Sequence, residues 1–268
     1  MKKIMTIVMV LGFAAPALAG QKVVMEGSTT VLPIAQKAAE EFMKVEKDAD
    51  MSVRGGGSGV GIASLMDGTC DIGDSSRPIK QGELDKAAKL GRNIKAHVVA
   101  MDGIAAIVHP SNTVSGLTRE QLKKIYTTRA ANWKEFGGPD LKIVVVSRDS
   151  ASGTFEAFGE LVLNKKNVRP DAIMQASNQG VASIVARTPG AIGYVGLGYI
   201  SASVKAVPVN GIMPSKETVL RGKYPVSRPL FMYTAGDPEG MVKKFLEFVK
   251  GPEGQKLVEE EGFVSLKK

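Results

Sequence analysis

The run Leu141-Lys142-Ile143-Val144-Val145-Val146-Ser147-Arg148-Asp149-Ser150-Ala151-Ser152-Gly153-Thr154-Phe155 changes character twice. Leu141 to Val146 is apolar and β-branched, which predicts a buried strand. Ser150 to Thr154 is a turn of hydroxyls and glycine, and Phe155 to Asn164 then reads as a helix. A helix N-terminus carries unpaired N–H donors and a partial positive charge. Glycine lets the backbone approach a ligand closely, and hydroxyls add donors that also cap the helix. A strand-to-helix turn of this composition is therefore suited to an anion. Arg148, two residues ahead of Ser150, offers a planar fork that matches phosphate or carboxylate. The competing role for Arg148 is a salt bridge to Asp149 or Asp74.

Outward from this turn, the same design occurs twice more. Gly27-Ser28-Thr29-Thr30 follows a short strand, Val23 to Met25, and precedes an amphipathic run, Val31 to Glu46. In that run Ile34, Ala38, Phe42 and Val45 recur every three to four residues, a helical period. Gly55-Gly56-Gly57-Ser58-Gly59 lies between a strand at Met51 to Val53 and a short helix at Val60 to Met66. One such turn is most often only an N-cap. Three in one chain carry more weight, because ligands of open α/β sheets sit beyond the carboxyl ends of strands, where these turns lie. A fourth segment, Cys70-Asp71-Ile72-Gly73, reads as a strand, and Asp74-Ser75-Ser76-Arg77 follows it. Arg77 fits a ligand contact and a structural ion pair equally well.

The remaining chain keeps the alternation. Asn93 to His109 is a long strand signal broken at Asp102-Gly103, and Leu117 to Tyr126 is a helix opened by Thr118 and Glu120. Val181 to Ala186 is a short helix, and Ala191 to Val195, Val204 to Val207 and Leu230 to Tyr233 are strands. Glu239 to Glu261 is helical, interrupted at Gly251-Pro252. Alternating strands and helices predict an α/β protein with largely parallel sheets. No linker divides the chain. If there are two lobes, the polypeptide crosses between them on apolar strands, at Val98 to Val108 and Pro225 to Tyr233.

Composition excludes several other classes. The 268 residues are 44% hydrophobic and 23% charged, which is not a disordered chain. One cysteine, Cys70, excludes an intrachain disulfide framework and a Cys-rich zinc site; with Ile72 nearby, it is expected to be buried. His97 and His109 are the only histidines, so a His-based metal site is not expected. His97 alternates with apolar residues and is expected to face solvent, while Trp133 and Phe136 are expected to pack a loop. No P-loop, dinucleotide fingerprint or nucleophile elbow is present, and no cofactor is expected.

At the other end, Lys2-Lys3, the apolar run Ile4 to Ala15 and Pro16-Ala17-Leu18-Ala19 read as a secretory signal peptide cut after Ala19. The apolar run is about a dozen residues, whereas a spanning helix needs about 20. Its removal takes two lysines and lowers the formal charge from +8 to +6. The lysines, such as Lys37, Lys44, Lys80 and Lys86, are scattered, and no nucleic-acid partner is expected.

With these motifs in order, the chain resembles the periplasmic phosphate-binding proteins of phosphate ABC transporters, the PstS-like family. The resemblance rests on Gly27-Ser28-Thr29-Thr30-Val31-Leu32-Pro33, Gly56-Gly57-Ser58-Gly59, Asp71-Ile72-Gly73-Asp74-Ser75-Ser76-Arg77, Asp102-Gly103-Ile104-Ala105 and Ser147 to Thr154. It implies a two-lobed periplasmic binding protein fold (type II-like) with the ligand in the interlobe cleft. Residues 20–98 and 225–268 would form lobe I, and residues 99–224 lobe II. It implies phosphate contacts from Thr29, Thr30, Ser58, Ser76, Arg148, Ser152, Gly153 and Thr154, with Arg77 beside Ser76. It also implies a membrane permease as partner; nothing in the sequence demands more than a monomer, and no general base or metal cluster accompanies the hydroxyls, so no catalysis is expected. In the best-known branch an aspartate, aligned with Ser76, accepts the proton of phosphate and so rejects sulfate. Serine at that position keeps sulfate or molybdate open as ligands, and leaves Asp74 or Asp149 as candidates for the acceptor. The rival from another class is an exported phosphatase or sulfatase using Ser152 or Thr154 as nucleophile.

Overall fold

The structure is a computed structural model and describes residues 21–266. The signal-peptide segment, residues 1–19, lies outside the described residues. In chain order the elements are β1 (Gln21–Gly27), α1 (Leu32–Val45), β2 (Ala49–Gly55), α2 (Ser58–Asp67), β3 (Ile72–Ser75), α3 (Gln81–Lys89) and β4 (Ile94–Val108). There follow α4 (Arg119–Thr127), β5 (Val144–Arg148), α5 (Gly153–Leu161), β6 (Ile173–Gln175), α6 (Asn178–Val185), β7 (Ala191–Gly196) and β8 (Lys205–Val207). The chain continues through α7 (Lys216–Leu220), β9 (Ser227–Ala235), α8 (Gly240–Lys250) and α9 (Pro252–Glu260). Two 3-10 turns, Trp133–Phe136 and Leu197–Tyr199, complete it. Among the described residues no helix is long and apolar enough to cross a membrane.

The strands form one sheet in the order β2-β1-β3-β9-β4-β7-β5-β6, with β8 paired to β4. The α/β class is as expected, but the sheet is mixed rather than largely parallel. Pairs β1–β2, β1–β3, β5–β6 and β5–β7 are parallel; β3–β9, β4–β9, β4–β7 and β4–β8 are antiparallel. The antiparallel pairs are those made by the two long strands, β4 and β9. They run side by side from Ile94↔Ala235 to Gly103↔Ser227, after which β4 continues alone into β7 and β8. The expected break at Asp102-Gly103 does not occur, because Asp102 pairs with Arg228 inside the ladder. The irregularity is instead a register shift between Val98 and Ala100.

Four apolar clusters cover the two faces of each half-sheet. In the first half, α1, α8 and α9 pack Ile34, Phe42, Phe245 and Val258 onto Met25, Ile72 and Met232. On the opposite face, Ile62, Leu65 and Ala87 from α2 and α3 meet Phe231 and Tyr233. In the second half, α4 and α5 bury Leu122, Tyr126 and Phe158 against Ile104, Ile192 and Tyr194. There α6 contributes Val181 and Val185 to the other face. Each fully buried side chain of this size contributes about 1.5–3 kcal/mol. The helix α4 is closed by a capping box: Thr118 Oγ1 accepts from Gln121 N at 3.1 Å, and Gln121 Oε1 accepts from Thr118 N at 2.7 Å. Gln121, not Glu120, therefore completes the cap. Trp133 is buried and donates Nε1–H to the Gly190 carbonyl at 2.9 Å, a packing role as expected. Cys70 is buried, and burial pushes its thiol up to about 12. His97 does not simply face solvent: it is half-buried, with Nε2 2.9 Å from Thr234 Oγ1, and burial lowers its pKa.

Candidate functional site

Four helix N-termini meet where β1, β2, β5 and β6 end. Ahead of α1, Ser28 Oγ accepts from Thr30 N (3.1 Å) and Val31 N (3.4 Å), which curls the turn and sets the next two threonines inward. The helix α2 begins at Ser58, two residues before the periodicity placed it, after Gly57 at φ +98°. A Cβ on Gly57 would lie 2.6 Å from the Ala151 carbonyl, so the glycine permits contact between the second and third turns. Gly59 N donates to that carbonyl at 3.0 Å. Ser152 caps α5 by accepting from Phe155 N (3.2 Å), and Ser177 caps α6 by accepting from Gly180 N (3.0 Å).

Around these turns the buried side chains join into one network. Arg148 donates Nη2–H to Thr29 Oγ1 (3.1 Å) and the Ala176 carbonyl (2.8 Å), and Nε–H to the Gln175 carbonyl (3.0 Å). Its Nη1 is buried and has no hydrogen-bond partner among the described residues. Thr30 Oγ1 lies 2.9 Å from Thr154 Oγ1, linking the first turn to the third. Ser58 Oγ accepts from Ser76 N (3.0 Å) and sits 3.4 Å from Ser76 Oγ. Gly153 closes on this pair: a Cβ there would be 2.2 Å from Ser58 Oγ and 2.9 Å from Ser76 Oγ. Tyr199 donates its hydroxyl to the Thr29 carbonyl at 2.5 Å. Thr29, Thr30, Ser58, Ser76, Arg148, Gly153 and Thr154 are thus brought together. Ser152 is buried at the same place, with its oxygen engaged as the cap of α5.

Arg77 is not brought in. Its guanidinium forks onto Glu83, with bonds of 2.8 and 2.7 Å, and its Nε lies 2.8 Å from Glu156 Oε2. The backbone beside Ser76 carries Arg77 to the site's edge, while two carboxylates hold the charge. Lys80 reaches the same Glu156 oxygen at 2.8 Å, so α5 is tied to the segment after β3 by ion pairs. Asp149 is half-buried and accepts from Ala151 N (3.1 Å), which shapes the turn. Asp74 is 1% exposed and neither carboxylate oxygen has a partner among the described residues. Burial raises its pKa well above the ordinary 3.8. A carboxyl raised in the folded state loses stability as pH rises from the unfolded value toward the folded one. Asp74→Asn removes that loss. The variant should melt higher than the parent at pH 8, by about 2–4 °C per kcal/mol regained, and the gap should close by pH 4. Thermal scans at the two pH values check this.

Three residues that were not among the expected contacts complete the network. Asn178, at the head of α6, donates Nδ2–H to Thr29 Oγ1 (3.2 Å) and Thr30 Oγ1 (3.0 Å). Arg228, on β9, donates Nη2–H to Thr154 Oγ1 (3.0 Å) and Thr30 Oγ1 (3.4 Å), and Nη1–H to the Ser76 carbonyl (3.0 Å). Asp102, opposite it on β4, pairs with Arg228 at 2.9 Å and accepts from Leu197 N (2.9 Å). Burial raises the Asp102 pKa against the pull of Arg228 and lowers that of Arg228 against Asp102, so desolvation outweighs attraction for both. Arg148 is different: burial pushes it down to about 10, and among the described residues it has no carboxylate in a salt bridge. The site therefore holds one neutralised and one uncompensated guanidinium, walled by hydroxyls and helix N-termini.

The family model described as a PBP superfamily domain matches residues 14–253. The phosphate-binding protein PstS of Bacillus subtilis is 36% identical over 243 residues, spanning 89% of this chain and 78% of that protein. This chain belongs to the PstS-like phosphate-binding proteins. PstS of Borreliella burgdorferi is 35% identical over 253 residues, 90% of this chain and 88% of that protein. Among solved structures, a Clostridium perfringens substrate-binding protein assigned to phosphate ABC transport, with phosphate bound, superposes with a TM-score of 0.86. It is 36% identical and covers 92% of this chain and all of its own. An ABC-type phosphate transport receptor from Vibrio cholerae matches at 0.75 and 31% identity, covering 91% and 100%. The PstS-like fold is the two-lobed arrangement that the resemblance implied, with β4 running from its pairing with β9 in the first half of the sheet into its pairings with β7 and β8 in the second. Packing in this PstS-like chain also gives a direct expectation for Gly153. Alanine there drives a methyl group into Ser58 Oγ and should prevent full apposition of the turns. Phosphate affinity should fall at least about tenfold, since even one lost charge-assisted bond costs about 1.5–3 kcal/mol. Calorimetric titration measures it.

Proposed function

We propose that the protein captures inorganic phosphate in the cleft between its lobes and delivers it to the membrane permease of an ABC transporter. The observation that carries this is Arg148: a buried guanidinium that, among the described residues, has one nitrogen unpartnered and no paired carboxylate, and that bonds to Thr29 beside the helix N-termini. An unpaired buried cation is costly, and an anion at that point removes the cost. Thr29, Thr30, Ser58, Ser76, Arg148, Ser152, Gly153 and Thr154 are the contacts we assign. Arg77 serves the rim instead. A micromolar site needs about 8 kcal/mol net. Charge-assisted hydrogen bonds contribute roughly 1.5–3 kcal/mol each before ordering costs, so five to eight are sufficient. Lobe I would comprise residues 20–98 and 225–268 and lobe II residues 99–224, closing by a hinge motion on β4 and β9.

The first 19 residues have the pattern of a cleaved signal peptide, which supports export to the periplasm, where the receptor would act as a monomer. Binding without turnover is supported by the hydroxyls themselves. Thr154 Oγ1 is bonded to Arg228 and Thr30, Ser152 Oγ to a backbone N–H, and among the described residues neither has a hydrogen bond to a base that would activate it as a nucleophile.

Calorimetric titration with phosphate, then with sulfate, at one pH and salt concentration tests the reading, after carried ligand is removed by partial unfolding and dialysis. Micromolar or tighter phosphate binding with no sulfate heat is the expected result. Equal binding of the two would make the protein a general oxyanion receptor, with Ser76 unable to test for the ligand's proton. Binding of neither would overturn the proposal.

A further inference from the structure

Three threonine hydroxyls, Thr29, Thr30 and Thr154, stand in the cluster, and a free hydroxyl can present either a proton or a lone pair. At Thr29 the surroundings remove the choice. Amide NH2 and guanidinium groups donate only. The orientation of the Asn178 amide is fixed, because its Oδ1 accepts from Gly196 N at 3.2 Å, so Nδ2 is the atom facing the threonines. Thr29 Oγ1 accepts from Arg148 Nη2 and Asn178 Nδ2, which occupies both lone pairs. The other Nδ2 hydrogen of Asn178 goes to Thr30 Oγ1 (3.0 Å), so the amide is held between the two threonines. The only atom Thr29 has left to give is its proton. Arg228 Nη2 spends its two hydrogens on Asp102 Oδ2 (2.9 Å) and Thr154 Oγ1 (3.0 Å) and leaves Thr30 at 3.4 Å.

We infer that Asn178 is a positioning residue that, together with Arg148, fixes Thr29 as an obligate proton donor to the anion. This deepens the phosphate reading and rests on it. The Thr29 hydroxyl is thereby committed to donation before the anion arrives, so no lone pair of Thr29 has to be turned away from it. The backbone supports the same end: Asn178 is fully buried at the first turn of α6.

The test is phosphate titration of the wild type, Asn178→Asp and Asn178→Ala at pH 8 and pH 5, with affinities compared as ratios so that titration of phosphate cancels. Asn178→Ala should lose about tenfold at both pH values, the worth of one or two oriented hydrogen bonds. Asn178→Asp turns a donor into an acceptor and adds a like charge, so it should lose about a hundredfold or more at pH 8. That deficit should shrink below about tenfold at pH 5, where a protonated carboxyl can donate again. Wild-type affinity in Asn178→Ala would overturn the inference, as would an Asn178→Asp deficit that ignores pH. Failure of the wild type itself to bind phosphate would instead overturn the function on which the inference stands. Neutron diffraction on the wild-type complex needs no variant to fold. A Thr29 deuteron directed at phosphate is expected; a Thr29 deuteron directed at any protein atom would sink the inference.

Discussion

Arg148→Met should abolish high-affinity phosphate binding while leaving the unliganded protein close to its original stability. Truncating one partner of a buried, hydrogen-bonded charge pair costs about 2–5 kcal/mol, which corresponds to roughly 30- to 4,000-fold in affinity. The upper end applies here, because Arg148 is 1% exposed and Arg228, the other guanidinium in the network, is already neutralised by Asp102. Stability follows a different rule. Without an anion the buried charge of Arg148 is uncompensated, and an apolar side chain of similar length removes that desolvation cost. Loss of its bonds to the Gln175 and Ala176 carbonyls opposes the gain. The clean readout is the melting temperature with and without phosphate. The wild type should rise with phosphate concentration, as a ligand that binds only the folded state requires, and Arg148→Met should not. A variant that still shifts with phosphate would show that Arg148 is a structural cation.

Asp102→Ala should have the opposite profile, with a large loss of stability in the absence of any ligand. Asp102 and Arg228 are 0% and 4% exposed, and they face each other at the last but one pair of the shared β4–β9 ladder. Removing one partner of a buried pair strands the other and costs about 3–5 kcal/mol. For a chain of this size that is a fall of about 6–20 °C in melting temperature. The double variant Asp102→Leu with Arg228→Met should recover most of the loss, since no charge is left stranded. It should not recover phosphate affinity, because Thr30 and Thr154 lose the donor that orients them. Thermal scans and titrations of the single and double variants separate the two effects. A double variant no more stable than the single would mean that packing, not charge, governs the site.

Much of this was legible in the sequence because it is local. A strand followed by Gly, Ser or Thr and then a helical period defines each anion-binding turn within about a dozen residues, and the three turns at Thr29, Ser58 and Thr154 do converge. What was not legible depends on partners far away in the chain. Arg77 has the right neighbours in sequence, yet its charge is taken by Glu83 and by Glu156 on α5. Asn178 escaped because the apolar period of α6 begins only at Val181, while the helix begins at Asn178 under its Ser177 cap. Arg228 and Asp102 did leave a signal. Each is a lone charge inside an otherwise apolar strand run, and of opposite sign, which is how a buried cross-strand pair reads before its register is known. The mixed sheet was missed for a related reason: apolar runs at Val98 and Leu230 mark strands but carry no direction.

The place of β9 has a consequence for how this chain comes to be folded. Residues 227–235 are among the last strand-forming residues made, yet they fill the position between β3 and β4 near the middle of the sheet. Until they arrive, the edges of β3 and β4 have nothing between them, and α8 and α9, which roof Met25 and Ile72, are still missing. Early helices and the β1–β2 pair can form, but the first half-sheet cannot close from its own N-terminal residues. Contacts that join residue 73 to residue 233, and 94 to 235, make the late steps slow, because distant segments must be gathered before they gain anything from pairing. A polypeptide with this topology stays unclosed until nearly all of it has been synthesised, and that is the condition in which a chain is threaded through a membrane before it folds.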